Sequence, residues 1–197
     1  ALQGLLVIEA GQLKTAGTMM MIISLVVGAL VGEAVDIEEK LEGFGQRLKK
    51  VMKVKEDNRF VEGFVTTSLV VCVGAMAVVG SINDGLTGDA SMLYAKAVLD
   101  GVVLIIFAST LGIGSLFSVI PLALYQGSIT VLAKVIEPYL SDRLIGNLSF
   151  IGSILIFAVG VNLAFGKKIK VGNMLPALLI PVIYEMISSL TKLLYMI

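Results

Sequence analysis

The sequence predicts an all-α protein of the membrane-spanning class, a polytopic bundle of about seven helices in one domain over residues 1–197. Composition and run length lead to this class. Of 197 residues, 57% are hydrophobic and 15% are charged, with a mean hydropathy of +0.97, whereas a soluble domain is about 45–50% apolar. The apolar runs have the roughly 20-residue length that a helix needs to cross a hydrocarbon layer of about 30 Å. Strands of a membrane barrel would be about 10 residues long with alternating polarity.

The predicted spans follow the apolar runs in chain order. Residues 1–14 are predicted as a membrane helix whose beginning is missing, because the run is too short to cross the bilayer. In the second span Gly28 and Gly32 form a GxxxG pattern, which lets another helix approach closely, and packing inside one subunit is favoured over a dimer interface. The complete spans are predicted over residues 18–32, 60–81, 92–111, 116–133, 148–165 and 171–197.

A charged segment separates the second and third spans. Over residues 36–56 apolar side chains recur at steps of three and four, which predicts an amphipathic helix at the membrane surface or against the bundle. The loops 36–59 and 167–170 together carry ten Lys and Arg residues, and the loops of the opposite side carry three. The positive-inside rule therefore puts the first two loops, with the amphipathic helix, in the cytoplasm.

The functional core is expected in the hairpin made by the fourth and fifth spans. Lys96 and Asp100 lie four residues apart, so a helix places them on one face. A charge that faces lipid costs several kcal/mol, and both side chains should therefore point into the protein. Helical rise puts Asp100 roughly 12 Å inside, near the midplane. A binding site and a purely structural ion pair are both compatible with this placement.

The fifth span contains a proline and several polar side chains. Pro121 removes a backbone hydrogen bond, so we expect a kink there, with Gly127 as a second hinge position. Gln126, Ser128 and Thr130 follow within about three turns and are expected to supply neutral contacts to a small solute or ion. The predicted substrate or ion site joins these residues to the charged pair of the fourth span.

Other polar residues in the spans have simpler explanations. Thr66, Thr67 and Ser68 in the third span can bond back to carbonyl groups of their own helix, and this interpretation is favoured over a role in lining a path. Glu9 and Glu185 are further candidate carboxylates within membrane segments.

The composition also limits the chemistry. Histidine is absent and Cys72 is the only cysteine, so the usual zinc sites, Ser-His-Asp triads and Cys-His dyads cannot be assembled from this chain. We therefore expect no enzyme activity, no catalytic residue, no cofactor and no metal site. The net charge of zero gives no indication of nucleic acid binding.

The glycines suggest an internal repeat. Segments that begin at Gly4, Gly74 and Gly152 share a glycine, apolar run and glycine before a polar end. Internal repeats are how many transporters are built, although glycine is common in membrane helices.

Three stretches of the sequence resemble a known family. They are FVEGFVTTSLVVCVGAMAVVGSINDGLTGDASMLYAKAVLDG, SVIPLALYQGSITVLA and KIKVGNMLPALL. They are similar to the bacterial multi-pass membrane family called domain of unknown function 554, over nearly the whole chain. The resemblance implies a bacterial inner-membrane protein with about seven spans and supplies no catalytic residues. Members of that family usually have another membrane segment before the point where this chain begins.

Three functions are compatible with these features. The first is a small transporter or ion-coupled carrier with its site between the fourth and fifth spans. The second is an ion channel, in which a homo-oligomer encloses a pore lined by the same polar face. The third is a non-catalytic scaffold or sensor that uses the amphipathic helix as its cytoplasmic contact. The lipid bilayer is the surrounding partner in all three.

Overall fold

The computed structural model describes residues 6–9, 12–15, 18–54 and 59–195, and this part of the chain is a helical membrane bundle. Helices labelled α are α-helices and those labelled η are 3-10 helices. The elements in chain order are β1 (Leu6–Glu9), β2 (Gln12–Thr15), α1 (Thr18–Val35), α2 (Ile37–Val51), α3 (Phe60–Cys72), α4 (Ala75–Thr87), α5 (Ser91–Leu111), η1 (Ile113–Ser118), α6 (Val119–Val131), α7 (Ala133–Ile136), η2 (Glu137–Tyr139), α8 (Asp142–Phe165), η3 (Val171–Leu178) and α9 (Leu179–Tyr195).

Five of the predicted spans are present in the described residues as single segments, and a bent pair of helices lies at the position of the sixth. Five segments are long and apolar enough to cross a membrane: α1, α5, η1 with α6, α8, and η3 with the first part of α9. Helices α3 and α4 pass the same test only as a pair, and a bend of 63° separates them. The third span is therefore not the continuous helix over 60–81 that the sequence predicted, since it breaks and extends to Thr87.

The prediction of a membrane helix over residues 1–14 is wrong in the part that the structure describes. Strands β1 and β2 pair antiparallel there, with Leu6 opposite Thr15 and Glu9 opposite Gln12. The Leu-Val-Ile run of β1 contains β-branched residues that favour an extended backbone.

Glycines allow α1 to pack directly on η3. A Cβ at Gly32 would lie 1.7 Å from the carbonyl oxygen of Asn173, and one at Gly28 would lie 2.3 Å from the backbone nitrogen of Ala177. Only glycine permits so close an approach of two backbones. The prediction that this GxxxG pattern packs inside one subunit is confirmed.

A second contact of the same kind joins α3 to η1. A Cβ at Gly114 would lie 1.9 Å from the carbonyl oxygen of Phe60. A Cβ at Gly63 would lie 2.8 Å from the carbonyl oxygen of Leu111, at the end of α5. The rings of Phe60 and Phe117 pack with their centroids 5.4 Å apart. The beginnings of α3 and η1 are therefore in backbone contact.

Two helical hairpins share one architecture. The first is α5, η1 and α6, and the second is α8, η3 and α9. Each 3-10 helix begins with a β-branched residue, a glycine and a small polar residue, Ile113–Ser115 or Val171–Asn173. Each following α-helix has proline as its third residue, Pro121 or Pro181. The N–H groups of a first turn have no partner within the helix, so a proline there removes no helical hydrogen bond. This repeat differs from the glycine repeat predicted from the sequence.

The amphipathic helix α2 packs against the bundle, one of its two predicted positions. The rings of Phe44 and Phe64 lie 5.7 Å apart, and Gly45 is buried against Phe64. Phe64 is fully buried and belongs to the main apolar core. That core also contains buried side chains of α3, α8 and η3, which are Val65, Leu69, Ile151, Leu155, Ala158, Val159, Val171 and Ala177.

Candidate functional site

The third span breaks at Val73 and Gly74. The backbone of Val73 is extended (φ −85°, ψ 111°), so α3 ends at Cys72 and α4 begins at Ala75. A β-branched residue followed by glycine disfavours continuation of a helix. Each half has 13 residues and is about 20 Å long, less than the thickness of the hydrocarbon layer. Neither half can therefore cross the hydrocarbon layer without the other.

Lys96 binds the main chain at this break. A helix that ends leaves its last carbonyl groups without helical partners. The N–H of Val73 donates to the carbonyl oxygen of Leu69 at 3.1 Å. The Nζ of Lys96 donates to the carbonyl oxygen of Val71 at 2.9 Å, and Lys96 is only 7% exposed. The ammonium therefore caps the negative end of the half-helix α3.

Asp100 pairs with the same ammonium. Lys96 and Asp100 form the i,i+4 ion pair on one face of α5 that the sequence predicted, with side chains 8% and 16% exposed. A buried ion pair is strongly destabilised when one partner is lost, because the remaining charge stays buried. The site at the break therefore consists of a carbonyl oxygen, an ammonium and a carboxylate.

Cys72, the last residue of α3, is half-buried next to the break. Sequence reasoning missed the carbonyl oxygen of Val71 as a partner of Lys96, because no side-chain pattern can reveal a main-chain group.

The structure brings only part of the predicted site together. Ser128 is exposed on α6, and its hydroxyl donates to the carbonyl oxygen of Tyr125 at 2.7 Å. Gly127 is exposed too, and a Cβ there would meet no atom within 4 Å. Gln126 and Thr130 are half-buried, and among the described residues no hydrogen bond joins them to the charged pair. The contacts of that pair lead to the third span rather than the fifth.

The remaining predicted residues lie elsewhere. Pro121 is in the first turn of α6, and its role as a hinge stays a prediction. Glu185 accepts a hydrogen bond from the hydroxyl of Ser141 at 3.0 Å. Ser141 is the N-cap of α8 and accepts from the N–H of Leu144 at 3.1 Å. The side chain of Glu9 lies outside the described residues.

A second polar cluster lies where the two positively charged loops meet. Glu38 accepts from the N–H of Gly172 at 2.9 Å and pairs with Lys167 at 2.7 Å. The N–H of Glu38 donates to the side-chain oxygen of Asn173 at 2.8 Å. Lys167 also pairs with Glu42. The loops that the charge count assigns to one side of the membrane therefore touch each other.

Three groups of this cluster, Asp36, Lys167 and Lys170, have a pKa shifted in the direction that favours the charged form. A hydrogen bond to Glu33 at 2.9 Å raises the pKa of Lys170. The side-chain amide of Asn173 lowers the pKa of Asp36 by hydrogen bonding to its carboxylate. Burial acts to lower the pKa of Lys167, but its hydrogen bonds to carboxylates raise it above the ordinary value. The cluster therefore ties the α1–α2 turn to the loop before η3 at neutral pH.

A cavity of about 420 Å³ opens beside this cluster. Glu38, Glu42 and Lys167 line it, together with Glu62 and Thr66, which lie one turn apart on α3. The rest of its wall is mainly apolar and comes from α3, α8 and η3. This partly polar cavity therefore extends along α3 from the predicted cytoplasmic end of that helix.

These features define a class, an integral membrane protein with a broken span and a charged pair inside its helical bundle. The chain belongs to the family described as protein of unknown function (DUF554), whose profile matches residues 2–186. It is 33% identical over 162 residues to the uncharacterized membrane protein YdfK of Bacillus subtilis, covering 82% of this chain and 68% of YdfK. It is 31% identical over 174 residues to the uncharacterized protein YqgA of Escherichia coli, covering 85% of this chain and 73% of YqgA. No solved structure matches the chain.

Proposed function

We propose that this protein is a small ion-coupled carrier of the bacterial inner membrane. The break in the third span, capped by a buried Lys96 that also pairs with Asp100, carries this proposal. Ionisable residues inside a membrane bundle mark ion or substrate paths as a rule. Helices that break near the midplane form the binding sites of many carriers, because the break exposes backbone groups and lets two halves move.

In the proposed mechanism Asp100 takes up a proton or another cation. Neutralising this carboxylate weakens its hold on the ammonium of Lys96, so Lys96 can leave the carbonyl oxygen of Val71 or pair with an anionic group of the solute. The carbonyl groups at the end of α3 then become free to bind solute or ion. Half-buried Gln126 and Thr130 supply neutral contacts when α6 moves about Pro121, whereas the exposed Ser128 has to turn inward to take part.

The two alternative functions have less support. A channel formed by several copies uses the same polar residues, and a carrier differs from it in saturating with substrate. A scaffold needs a free cytoplasmic helix, yet α2 packs its Phe44 on Phe64 and engages Lys167 through Glu38 and Glu42.

The test is ion flux in liposomes that contain the purified protein. Proton flux is followed with a pH-sensitive dye and sodium flux with a radioactive tracer, for the native chain and for Asp100→Asn. Asp142→Asn is the matched control, because Asp142 undergoes the same change at an exposed position in the first turn of α8. We expect Asp100→Asn to reduce flux at least tenfold and Asp142→Asn to leave it unchanged. Equal flux for the two variants contradicts the proposal.

Gln126→Ala provides a second, independent arm. Because Gln126 is expected to contact the solute without holding the coupling ion, its loss should raise the half-saturating concentration more than it lowers the maximal rate. Flux that grows linearly with concentration in every variant contradicts the carrier and favours the channel.

A further inference from the structure

One edge of the amphipathic helix α2 carries two basic and two apolar side chains, all of them exposed. Lys40, Phe44, Arg47 and Val51 follow one another at steps of four, three and four residues, so they share one side of the helix. The exposed fraction is 40% for Phe44 and 76% for Val51. We call this row the basic edge of α2 (Lys40, Phe44, Arg47 and Val51).

Two other rows of α2 face the protein. Leu41, Gly45 and Leu48 form the row next to the basic edge and pack on the bundle. On the far side of that row, Glu38 and Glu42 pair with a lysine and line the cavity described above. The packed row therefore separates an acidic edge, which the protein covers, from a basic edge, which it leaves exposed.

The two bases of the exposed edge have no carboxylate partner in the part of the chain that the structure describes. Lys167 and Lys170, by contrast, are both paired with glutamates. Exposed apolar side chains next to basic ones are typical of helices that lie in a bilayer interface. There the apolar groups enter the boundary of the acyl chains, while the long basic side chains reach the lipid phosphates.

The contacts of α2 place it across the ends of two membrane spans. Glu38 accepts from the N–H of Gly172 at the beginning of η3, at 2.9 Å. A Cβ at Gly45 would lie 2.9 Å from the ring of Phe64, near the beginning of α3. These two positions on α2 are seven residues, or about 10 Å, apart. The helix therefore lies along the surface of the bundle instead of extending away from it.

The neighbouring span α1 indicates that lipid reaches this helix. Val31 and Val35, in the last two turns of α1, are exposed apolar side chains of a membrane span and therefore face acyl chains. Val35 is the last residue of α1, and α2 begins two residues later at Ile37. The beginning of α2 therefore lies next to the lipid headgroups.

We propose that the basic edge of α2 binds anionic phospholipid of the surrounding bilayer. Phe44 and Val51 enter the boundary of the acyl chains, and Lys40 and Arg47 bind headgroup phosphates. Charge complementarity favours this lipid class, since a basic residue close to an anionic membrane surface favours binding by roughly fivefold. The inference goes beyond the proposed function and does not depend on transport. Because Glu38 and Glu42 of the same helix line the cavity, α2 connects the lipid surface to the cavity wall.

The test uses the absence of tryptophan from the sequence. Val51→Trp places a single tryptophan on the basic edge. Gln46→Trp is the matched control, because Gln46 is also exposed but lies about 140° further around the helix. Each variant of the full chain is reconstituted in vesicles of phosphatidylcholine and phosphatidylglycerol. Brominated forms of either lipid quench the fluorescence of a tryptophan that touches their acyl chains.

We expect both brominated lipids to quench Val51→Trp and neither to quench Gln46→Trp. From competition between the two lipids, phosphatidylglycerol should bind at Val51→Trp at least roughly fivefold more tightly than phosphatidylcholine. Adding Lys40→Gln and Arg47→Gln to Val51→Trp should bring the ratio of the two affinities close to one, while quenching by acyl chains persists.

Three outcomes would overturn the inference. Absence of quenching in Val51→Trp shows that the edge faces water. Equal affinity for the two lipids in Val51→Trp shows that the edge does not select anionic headgroups. A ratio that stays high after Lys40→Gln and Arg47→Gln shows that other charges attract the lipid. Phe44→Trp, which exchanges one ring for another on the same edge, repeats the measurement if Val51→Trp does not fold.

Discussion

Replacing Gly32 by alanine tests the contact on which the packing of α1 against η3 depends. The added Cβ would lie 1.7 Å from the carbonyl oxygen of Asn173, 2.6 Å from its carbonyl carbon and 2.9 Å from its Cα. The first distance is half of the 3.4 Å at which ordinary contacts begin. All three atoms belong to the backbone, so no side-chain rotation relieves the overlap and η3 has to move as a unit.

The movement of η3 also affects hydrogen bonds of Asn173. Its side-chain oxygen accepts from the N–H of Glu38 at 2.8 Å, and its amide donates to Glu33 at 2.7 Å. Overpacking costs about 1–3 kcal/mol and each lost hydrogen bond about 0.5–1.5 kcal/mol. We therefore expect Gly32→Ala to lower the free energy of unfolding by about 2–6 kcal/mol.

The assay is unfolding in mixed micelles by titration with sodium dodecyl sulfate, followed by circular dichroism. Gly160→Ala is the control, because Gly160 is also in a membrane helix but a Cβ there would meet no atom within 4 Å. Helix propensity alone favours alanine over glycine by about 1 kcal/mol, so the control should be unchanged or more stable. If Gly32→Ala is as stable as Gly160→Ala, the packing of α1 on η3 described above is incorrect.

Three further predictions address the charged groups. Lys96→Met should destabilise the protein by about 3–5 kcal/mol, because Asp100 stays buried without its partner. The double variant Lys96→Met with Asp100→Leu should recover most of the lost free energy of unfolding, which a double-mutant cycle measures. Asn162→Ala removes the side-chain oxygen that accepts from two loop amides at 2.9 Å, so hydrogen exchange of those amides should become faster while exchange in α5 stays the same. A hydrogen bond to Glu33 raises the pKa of Lys170 in the folded protein. The stabilising contribution of Lys170 is therefore complete below the unfolded pKa of about 10.4 and is lost as the pH rises through the folded pKa. Above a pH of about 10.4, Tm should fall less steeply in Lys170→Met than in the native chain.

Periodicity and run length were sufficient to predict most of the fold. The five single-segment spans, the amphipathic helix and the glycine packing of α1 depend on apolar length and residue size, which the sequence displays directly. The approach failed for residues 6–9 and 12–15, because apolar content in a short segment does not distinguish a strand from a helix. The sequence left that choice open and the pairing of β1 with β2 decides it.

The candidate site was predicted in part. Four-residue spacing placed Lys96 and Asp100 together, since that contact lies within one helix. The partner of Lys96, the carbonyl oxygen of Val71, is 25 residues away in the sequence and belongs to the main chain, so no pattern of residue types predicts this contact. Ser128 was assigned to the site by residue type alone, but its position on the helix circumference turns it to the outside. Only the packing of α6 on α4 determines which side of α6 faces inward.

The break at Val73 and Gly74 bears on how the chain enters the membrane during synthesis. Neither α3 nor α4 is long enough to be accepted as a span alone, so the two halves have to partition into lipid as one segment. The carbonyl of Val71 at their junction then has no partner until Lys96 arrives, and Lys96 is made only after the whole of that segment. The third and fourth spans should therefore leave the translocation machinery together, each supplying the polar group that the other requires in lipid.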